Sequence, residues 1–202
     1  MTVVRRLSDL PDGRHAPDEP VIALTFDDGP GDSTAAIELA LARVDATATF
    51  FVVGSVAKEE PDLLAALVTA GHSVGGHSWS HRRIDDASDA ELAEEALRTS
   101  MLIEDATRSP APLFRPPYRK VDAPRWDSVV APLGLVTVTW SVDPRDWALT
   151  DPVAIATAVI DHLHPGAIVL LHDGGGDRSA TLEAVPLIVH GARLAGYRLV
   201  TL

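Results

Sequence analysis

Two adjacent carboxylates stand at the end of an apolar run near the start of the chain. The run VIALTF covers residues 21–26 and leads directly into Asp27 and Asp28, which are followed by Gly29 and Pro30. Two like charges at the end of a buried strand repel each other and lose part of their hydration, and both effects oppose ionisation. Because a bound cation would compensate for this paired negative charge, the two aspartates prompt a search for further metal ligands.

A pair of histidines supplies the ligand types that the aspartates lack. The segment HSWSH places His77 and His81 four residues apart, and this spacing predicts one helical turn with both imidazoles on the same side. On its own, the pair is more typical of surface or capping histidines. Together with the acidic pair it favours a divalent-metal site, since three protein ligands plus water, with imidazole and carboxylate donors, are usual for catalytic zinc.

Three more polar clusters follow apolar runs. They are Arg115 to Tyr118, Asp143 to Trp147, and His172 with Asp173. In parallel α/β folds, functional side chains collect at the carboxyl ends of the strands, so these clusters are predicted to share one edge with the acidic pair. Taken singly, each has another interpretation: Arg115 on a rigid turn, Asp146 as a helix cap, Trp147 in the core, His172 ending a strand, and Asp173 in a turn.

The elements that would position these residues alternate along the chain. Strand-like runs are VIALTF (21–26), ATFFVV (48–53), HSVGG (72–76), PLFRP (112–116), LVTVTWS (135–141), AIVLLH (167–172) and YRLVTL (197–202). Helical patterns lie at about 34–44, 60–70, 88–108, 123–131, 152–164 and 179–195. Ser88 with Glu91 forms a capping-box signature, and Asp151 before Pro152 reads as a helix start. Short apolar strands between helices predict an α/β fold with a parallel sheet that is either open or closed into a barrel, and the seven candidate strands favour a small or incomplete barrel.

Composition narrows the function classes. The chain has 202 residues, 46% of them hydrophobic, a formal net charge of -12 and no cysteine. The charge argues against binding to nucleic acid or to an anionic membrane, and the absence of cysteine excludes disulfides and thiolate chemistry. No run is long enough to span a membrane and no signal peptide is visible, so the chain is either intracellular or lacks an export segment. We expect one domain over residues 21–202, preceded by an irregular lead-in over residues 1–20.

Five segments, in their order and separations, resemble the motifs of a known enzyme family. They are TFDDGP (25–30), HSWSH (77–81), RPPY (115–118), SVDPRDW (141–147) and LLH (170–172). They are similar to the five motifs of the polysaccharide deacetylase family, which is the nodulation-deacetylase homology domain or carbohydrate esterase family four. The resemblance runs from about Val21 to Leu202 and implies a distorted (β/α) barrel, in agreement with the alternation of elements.

The resemblance also implies a role for each motif residue. Asp28, His77 and His81 would hold a divalent metal, usually Zn²⁺, with Co²⁺ or another first-row ion as alternatives. Asp27 would be the general base that activates the attacking water, and Arg115 would orient it. His172 would be the general acid, oriented by Asp146.

The remaining implied roles concern substrate binding. The backbone N–H of Tyr118 would stabilise the oxyanion, and Trp147 with Leu170 would enclose the acetyl methyl group. Arg119 and Lys120 follow RPPY where the family usually has glycine, and this change could alter substrate access. The four tryptophans, Trp79, Trp126, Trp140 and Trp147, lie in or between the motifs and suggest a carbohydrate cleft.

The resemblance predicts a metal-dependent hydrolase of linear amides. Its substrate would be the N-acetyl groups of glycans that contain N-acetylglucosamine, such as chitin, chitooligosaccharides or peptidoglycan. An O-deacetylase of acetylated xylan and a non-catalytic glycan-binding relative are the alternatives; the second is disfavoured because the base, acid and ligand residues are all present. By analogy the protein is expected outside the cell or on its surface, and as a monomer.

Overall fold

The sheet of the barrel has its longest strands at its centre. The computed structural model describes residues 3–118 and 123–202. Seven strands pair in the order β5-β4-β3-β2-β1-β6, and β7 pairs with β1. The pairs between them are parallel. Their bounds are β1 Val21–Asp27, β2 Thr49–Val52, β3 Ser73–Gly76, β4 Leu113–Phe114, β5 Val136–Thr137, β6 Ala167–His172 and β7 Arg198–Leu199.

The helices follow the strands as the alternation predicts. They are α1 Thr34–Arg43, α2 Gly54–Ala57, α3 Pro61–Thr69, α4 Asp89–Thr107, α5 Ala123–Val130, α6 Pro152–Ile160 and α7 Ser179–Leu194. Both predicted helix starts are confirmed. Ser88 and Glu91 form the reciprocal capping box of α4, and Asp151 accepts a hydrogen bond from the Val153 N–H at 2.9 Å. Among the α-helices of the described residues, the single turn of α2 alone has no counterpart in the predicted helices.

Closure of the barrel is partial, which confirms the predicted fold class. The run LVTVTWS keeps only two residues in β5. Val138 instead bridges to Val4 in the lead-in, and Val142 bridges to Val169 in β6. A complete (β/α) barrel has eight continuous strands. Here single bridges stand in the place of a further strand, so the barrel is distorted and incomplete.

Strand β1 carries two faces that are both buried. Ile22, Leu24 and Phe26 pack in the core between the sheet and the helices. Val21 and Ala23 pack inside the barrel, where Val4, Leu7 and Leu10 of the lead-in join them. Because side chains alternate along a strand, Thr25 and Asp27 share the inner face with Val21 and Ala23. The inner face therefore ends in a carboxylate at its carboxyl end.

No helix within residues 3–118 and 123–202 combines the length and the apolar character that crossing a membrane requires. The predicted division at residue 20 stays a prediction.

Candidate active site

The carboxyl ends of the strands open onto one cleft of about 480 Å³. Asp27 is in register with His172 of the neighbouring strand β6, so the proposed base and acid lie on adjacent strands. The cleft is lined by Asp27, Asp28, His77, His81, Arg83, Pro116, Tyr118, Trp140, Asp143, Trp147, Leu170, His172 and Arg178. The structure thus brings the residues predicted from the five motifs to one edge of the sheet.

Three of these side chains converge as the sequence predicts for a metal site. The Nε2 atoms of His77 and His81 lie 3.4 and 3.0 Å from Oδ1 of Asp28. Taken together, the three ligand atoms lie within 4.8 Å of one another. The Nδ1 of His77 is 2.8 Å from the carbonyl oxygen of Arg115, which can only accept, so Nδ1 carries a proton and Nε2 is the ring nitrogen that could bind a cation. Two imidazole nitrogens and one carboxylate oxygen fit the donor set that zinc takes in proteins.

The local backbone at these ligands is not helical. Residues 77–81 lie in a loop after β3, and Ser78 and His81 have positive φ angles of 61° and 53°. The predicted helical turn is therefore wrong, although the imidazoles still meet, with ring centroids 5.1 Å apart. Asp28 also has a positive φ of 73°. Left-handed backbone is uncommon outside glycine, and the two ligands that adopt it, Asp28 and His81, both line the cleft.

The charges of the trio depend on one another. Burial acts to raise the pKa of Asp28, but hydrogen bonds and charges from His77 and His81 outweigh it and hold that pKa far below its usual range. Burial acts to lower the pKa of His77, but the charges of Asp27 and Asp28 outweigh it and the pKa is raised. The site therefore favours a negative carboxylate facing positive charge, which is the charge pattern that a cation would satisfy.

Asp27 is held by a buried arginine. Nη1 of Arg115 donates to Oδ1 of Asp27 at 2.7 Å and to Oγ1 of Thr25 at 2.6 Å. Nη2 of the same guanidinium donates to the carbonyl oxygen of Thr139 at 3.0 Å, and Arg115 is fully buried. Because Oδ1 of Asp27 is engaged by Arg115, Oδ2 is left facing the metal trio, 3.9 Å from Nε2 of His77. The interpretation of Arg115 as a surface residue on a turn is wrong.

His172 has a matching carboxylate partner. Nδ1 of His172 is 2.7 Å from Oδ1 of Asp146, whose Oδ2 accepts from the His172 backbone N–H at 2.9 Å and from Oγ1 of Thr181 at 2.8 Å. Burial acts to lower the pKa of His172, but the hydrogen bond and charge of Asp146 outweigh it and the pKa is raised. The arrangement leaves Nε2 of His172 as the ring nitrogen without a contact to Asp146.

The predicted substrate residues lie around the same cleft. The ring centroids of Tyr118 and His81 are 4.5 Å apart, and the Arg83 guanidinium lies 4.6 Å from the centroid of the Tyr118 ring. Trp147 is half exposed, while Leu170 is buried in β6. Arg119 and Lys120 lie outside the described residues.

Only two of the four tryptophans line the cleft, namely Trp140 and Trp147. Trp126 is fully buried against Phe114 at a centroid distance of 5.0 Å, and Trp79 packs under Arg98. The suggestion that all four serve a carbohydrate cleft is therefore wrong for these two. The helical periodicity of α5 was the sequence signal for the burial of Trp126, because this residue lies on the buried face of that helix.

Three charged residues of the cleft were not assigned from the sequence: Arg83, Asp143 and Arg178. Asp173, interpreted as a turn residue, is buried, and its Oδ2 accepts from Oγ1 of Thr34 at 2.6 Å. Its position directly after the buried strand β6 was the available signal. The glycine run that follows Asp173 instead favoured a loop residue, and Asp173 does lie in a loop.

Known proteins are similar to this chain in sequence and in fold. A family model described as polysaccharide deacetylase matches residues 14–138. The peptidoglycan-N-acetylglucosamine deacetylase of Bacillus cereus is 37% identical over 185 residues, covering 91% of this chain and 86% of that protein. The chitooligosaccharide deacetylase of a Bradyrhizobium species is 38% identical over 168 residues, covering 79% of this chain and 75% of that protein.

A solved structure extends the comparison to three dimensions. The family 4 carbohydrate esterase from Streptomyces lividans, in complex with acetate, has a TM-score of 0.81 at 35% identity, covering 88% of this chain and 90% of that one. The chain therefore belongs to the polysaccharide deacetylase family, and it is a carbohydrate deacetylase.

Proposed function

We propose that this protein is a metal-dependent hydrolase that removes N-acetyl groups from glycans containing N-acetylglucosamine, such as peptidoglycan or chitooligosaccharides. The observation that carries the proposal is the meeting of three groups in one cleft. These are the Asp28, His77 and His81 trio, the Asp27–Arg115 pair and the His172–Asp146 pair. The names of the two relatives above support the substrate class. A wall or chitin polymer would place the enzyme outside the cell or on its surface.

Asp28, His77 and His81 would hold the metal, and we propose Zn²⁺, with Co²⁺ as a functional substitute. When bound, such an ion would supply a Lewis acid for the acetyl carbonyl and would lower the pKa of a coordinated water towards neutrality. His77 is held for this task by its hydrogen bond to the Arg115 carbonyl, which keeps Nε2 available.

Asp27 would act as the general base through Oδ2. Arg115 holds Oδ1 and so leaves Oδ2 as the proton acceptor on the side of the metal trio. Oδ2 takes one proton from the attacking water while the water oxygen forms a bond to the acetyl carbonyl carbon. The guanidinium fixes the carboxylate in place before the substrate arrives, which favours the transition state without a reorganisation cost.

His172 would act as the general acid through Nε2. Asp146 binds Nδ1 and raises the pKa of the imidazole, which favours the protonated ring. An amine leaves poorly without a proton, and Nε2 delivers that proton as the carbon–nitrogen bond breaks. The products are acetate and the free amino sugar.

The remaining residues would orient the acetyl group. Trp147 and Leu170 line the cleft and offer apolar surface for the methyl group. Tyr118 has a φ of 64°, and we propose that its backbone N–H stabilises the developing oxyanion. These two contacts would place the carbonyl between the base and the acid.

Acetate release tests the proposal directly. Purified protein is incubated with N-acetylglucosamine oligomers, peptidoglycan and acetylxylan, after chelation and again after addition of zinc or cobalt. We expect release from the N-acetylated glycans that is lost on chelation and restored by metal, with His77→Ala inactive and unable to bind metal. Release from acetylxylan alone would assign the O-deacetylase alternative. Turnover that is indifferent to chelation would refute the metal mechanism.

A further inference from the structure

We infer that Arg178 is a positioning residue for the metal ligand Asp28, acting through the loop 173–178, which we call the clamp loop. The inference rests on the proposed metal role of Asp28. The clamp loop follows β6 and contains three consecutive glycines, and nothing in the five motifs assigns it a role beyond the strand end at His172. Its contacts lie on the backbone of residues 27–29.

Arg178 organises the clamp loop from within. Its side chain is mostly buried, with the residue 9% exposed. Nε donates to the Gly174 carbonyl oxygen at 2.8 Å, Nη2 to that of Gly175 at 3.1 Å, and Nη1 to that of Asp177 at 3.2 Å. A planar guanidinium can bind three carbonyls at once, whereas an ammonium or an amide cannot reproduce that geometry.

The clamp loop in turn lies against the aspartate pair. The backbone N–H groups of Asp173 and Gly174 are 3.1 and 3.4 Å from the carbonyl oxygen of Asp27. Gly174 leaves no space for a side chain, since an added Cβ would overlap the carbonyl of Asp28. At Gly175 an added Cβ would lie 2.9 Å from Oδ2 of Asp28 and 3.5 Å from Nη2 of Arg178. The Arg178 guanidinium therefore packs against the backbone of Gly175, which in turn packs against the carboxylate of Asp28.

The ligand needs such support because of its backbone. Asp28 has a φ of 73°, a left-handed conformation that side chains with a Cβ rarely adopt. A position of this kind persists where the surrounding structure determines it. The clamp loop supplies that structure on the side of β6, and Gly175 is itself left-handed with a φ of 72°. Loss of the guanidinium would release the loop carbonyls and loosen the carboxylate without removing any metal ligand.

A second arginine offers a matched control. Arg193, near the end of α7, donates to the carbonyl oxygens of Val44 and Asp45 at 2.6 and 2.7 Å. It therefore also binds loop carbonyls, but it does not line the cleft. Arg193→Gln should change stability while leaving metal binding as in the wild type.

The test measures metal affinity in the full chain. Zinc affinity is determined by competition with a chromogenic chelator for the wild type, Arg178→Gln, Arg178→Lys and Arg193→Gln, and the visible spectrum of the Co²⁺-loaded proteins reports ligand geometry. We expect Arg178→Gln to weaken zinc binding by roughly 10- to 100-fold, as loss of an outer-shell partner does, and to alter the cobalt spectrum. Arg178→Lys should weaken binding less, and Arg193→Gln should not weaken it.

The outcomes separate this inference from the proposed function. If the wild type binds no zinc and releases no acetate, the proposed function fails. If the wild type binds zinc and Arg178→Gln binds it equally well with the same cobalt spectrum, the positioning role is overturned. Should Arg178→Gln not fold, Arg178→Lys decides: weaker zinc binding supports the inference, and unchanged binding overturns it.

Discussion

The buried carboxyl of Asp173 makes the stability of this protein depend on pH. Asp173 is 1% exposed, and its Oδ1 is buried without a hydrogen-bond partner among the described residues. Burial, with a smaller contribution from the charges of Asp27 and Asp28, raises its pKa to about 7 from an ordinary value of 3.8. Replacement by asparagine keeps the shape and the acceptor for Thr34 but removes the ionisation.

The magnitude follows from proton linkage. Between pH 3.8 and about 7 the folded protein holds a proton on Asp173 that the unfolded chain has released, so its stability falls as the pH rises through this window. Above pH 7 the penalty is complete. Each unit of difference between the pKa in the folded and in the unfolded state corresponds to 1.36 kcal/mol, so the total loss of folding stability is about 4 kcal/mol.

The assay compares unfolding of metal-free wild type and Asp173→Asn in chelator at several pH values from 4 to 8. The difference between the two curves cancels the titration of groups they share. Relative to the wild type, the free energy of unfolding of Asp173→Asn should increase by about 4 kcal/mol from pH 4 to pH 8. This corresponds to roughly 8–16 °C in Tm for a chain of this size. A difference that stays constant with pH, or that shifts in favour of the wild type, would refute the reasoning.

Three further predictions concern the proposed base and acid. Asp27→Asn should still bind zinc in a chelator competition but lose roughly 10²- to 10⁴-fold in kcat, since the base is absent while the ligands remain; loss of zinc binding would argue that Asp27 is a ligand instead. His172→Ala should lose more activity on an N-acetyl substrate than on an O-acetyl ester, because an alkoxide leaves more readily than an amide nitrogen, and equal losses would count against its role as the acid. Asp146→Asn removes the main group that raises the pKa of His172, so the alkaline limb of kcat/KM should move to lower pH; an unmoved limb would show that another group titrates there.

The central strands and their functional ends could be predicted from the sequence because they are continuous apolar runs. A strand buried on both faces requires such a run, and both VIALTF and AIVLLH are of this kind. Once the sheet is parallel, the residues at the carboxyl ends of these runs must share an edge. The proximity of Asp27 and His172 follows from that argument without knowledge of any loop.

The loops could not be predicted in the same way. The left-handed backbone of Ser78 and His81 has no sequence signal, since neither residue is glycine, so a four-residue spacing suggested a helix that the chain does not form. The predicted helical turn and the observed loop both bring the imidazoles together. The predicted juxtaposition is therefore present although the predicted local structure is wrong. The burial of Trp126 and of Asp173 had local signals, in the periodicity of α5 and in the position of Asp173 after β6, but which elements pack against these side chains depends on tertiary structure that a local pattern does not contain.

The pairing of β1 with β6 makes the proposed active site depend on a contact between distant parts of the sequence. Ile22 pairs with Ala167, which lies 145 residues further along the chain, and Asp27 pairs with His172. Contacts between such distant residues slow folding. The proposed base and acid therefore come together only when β6 docks beside β1, so a state in which β6 is detached keeps the proposed metal ligands but lacks the acid.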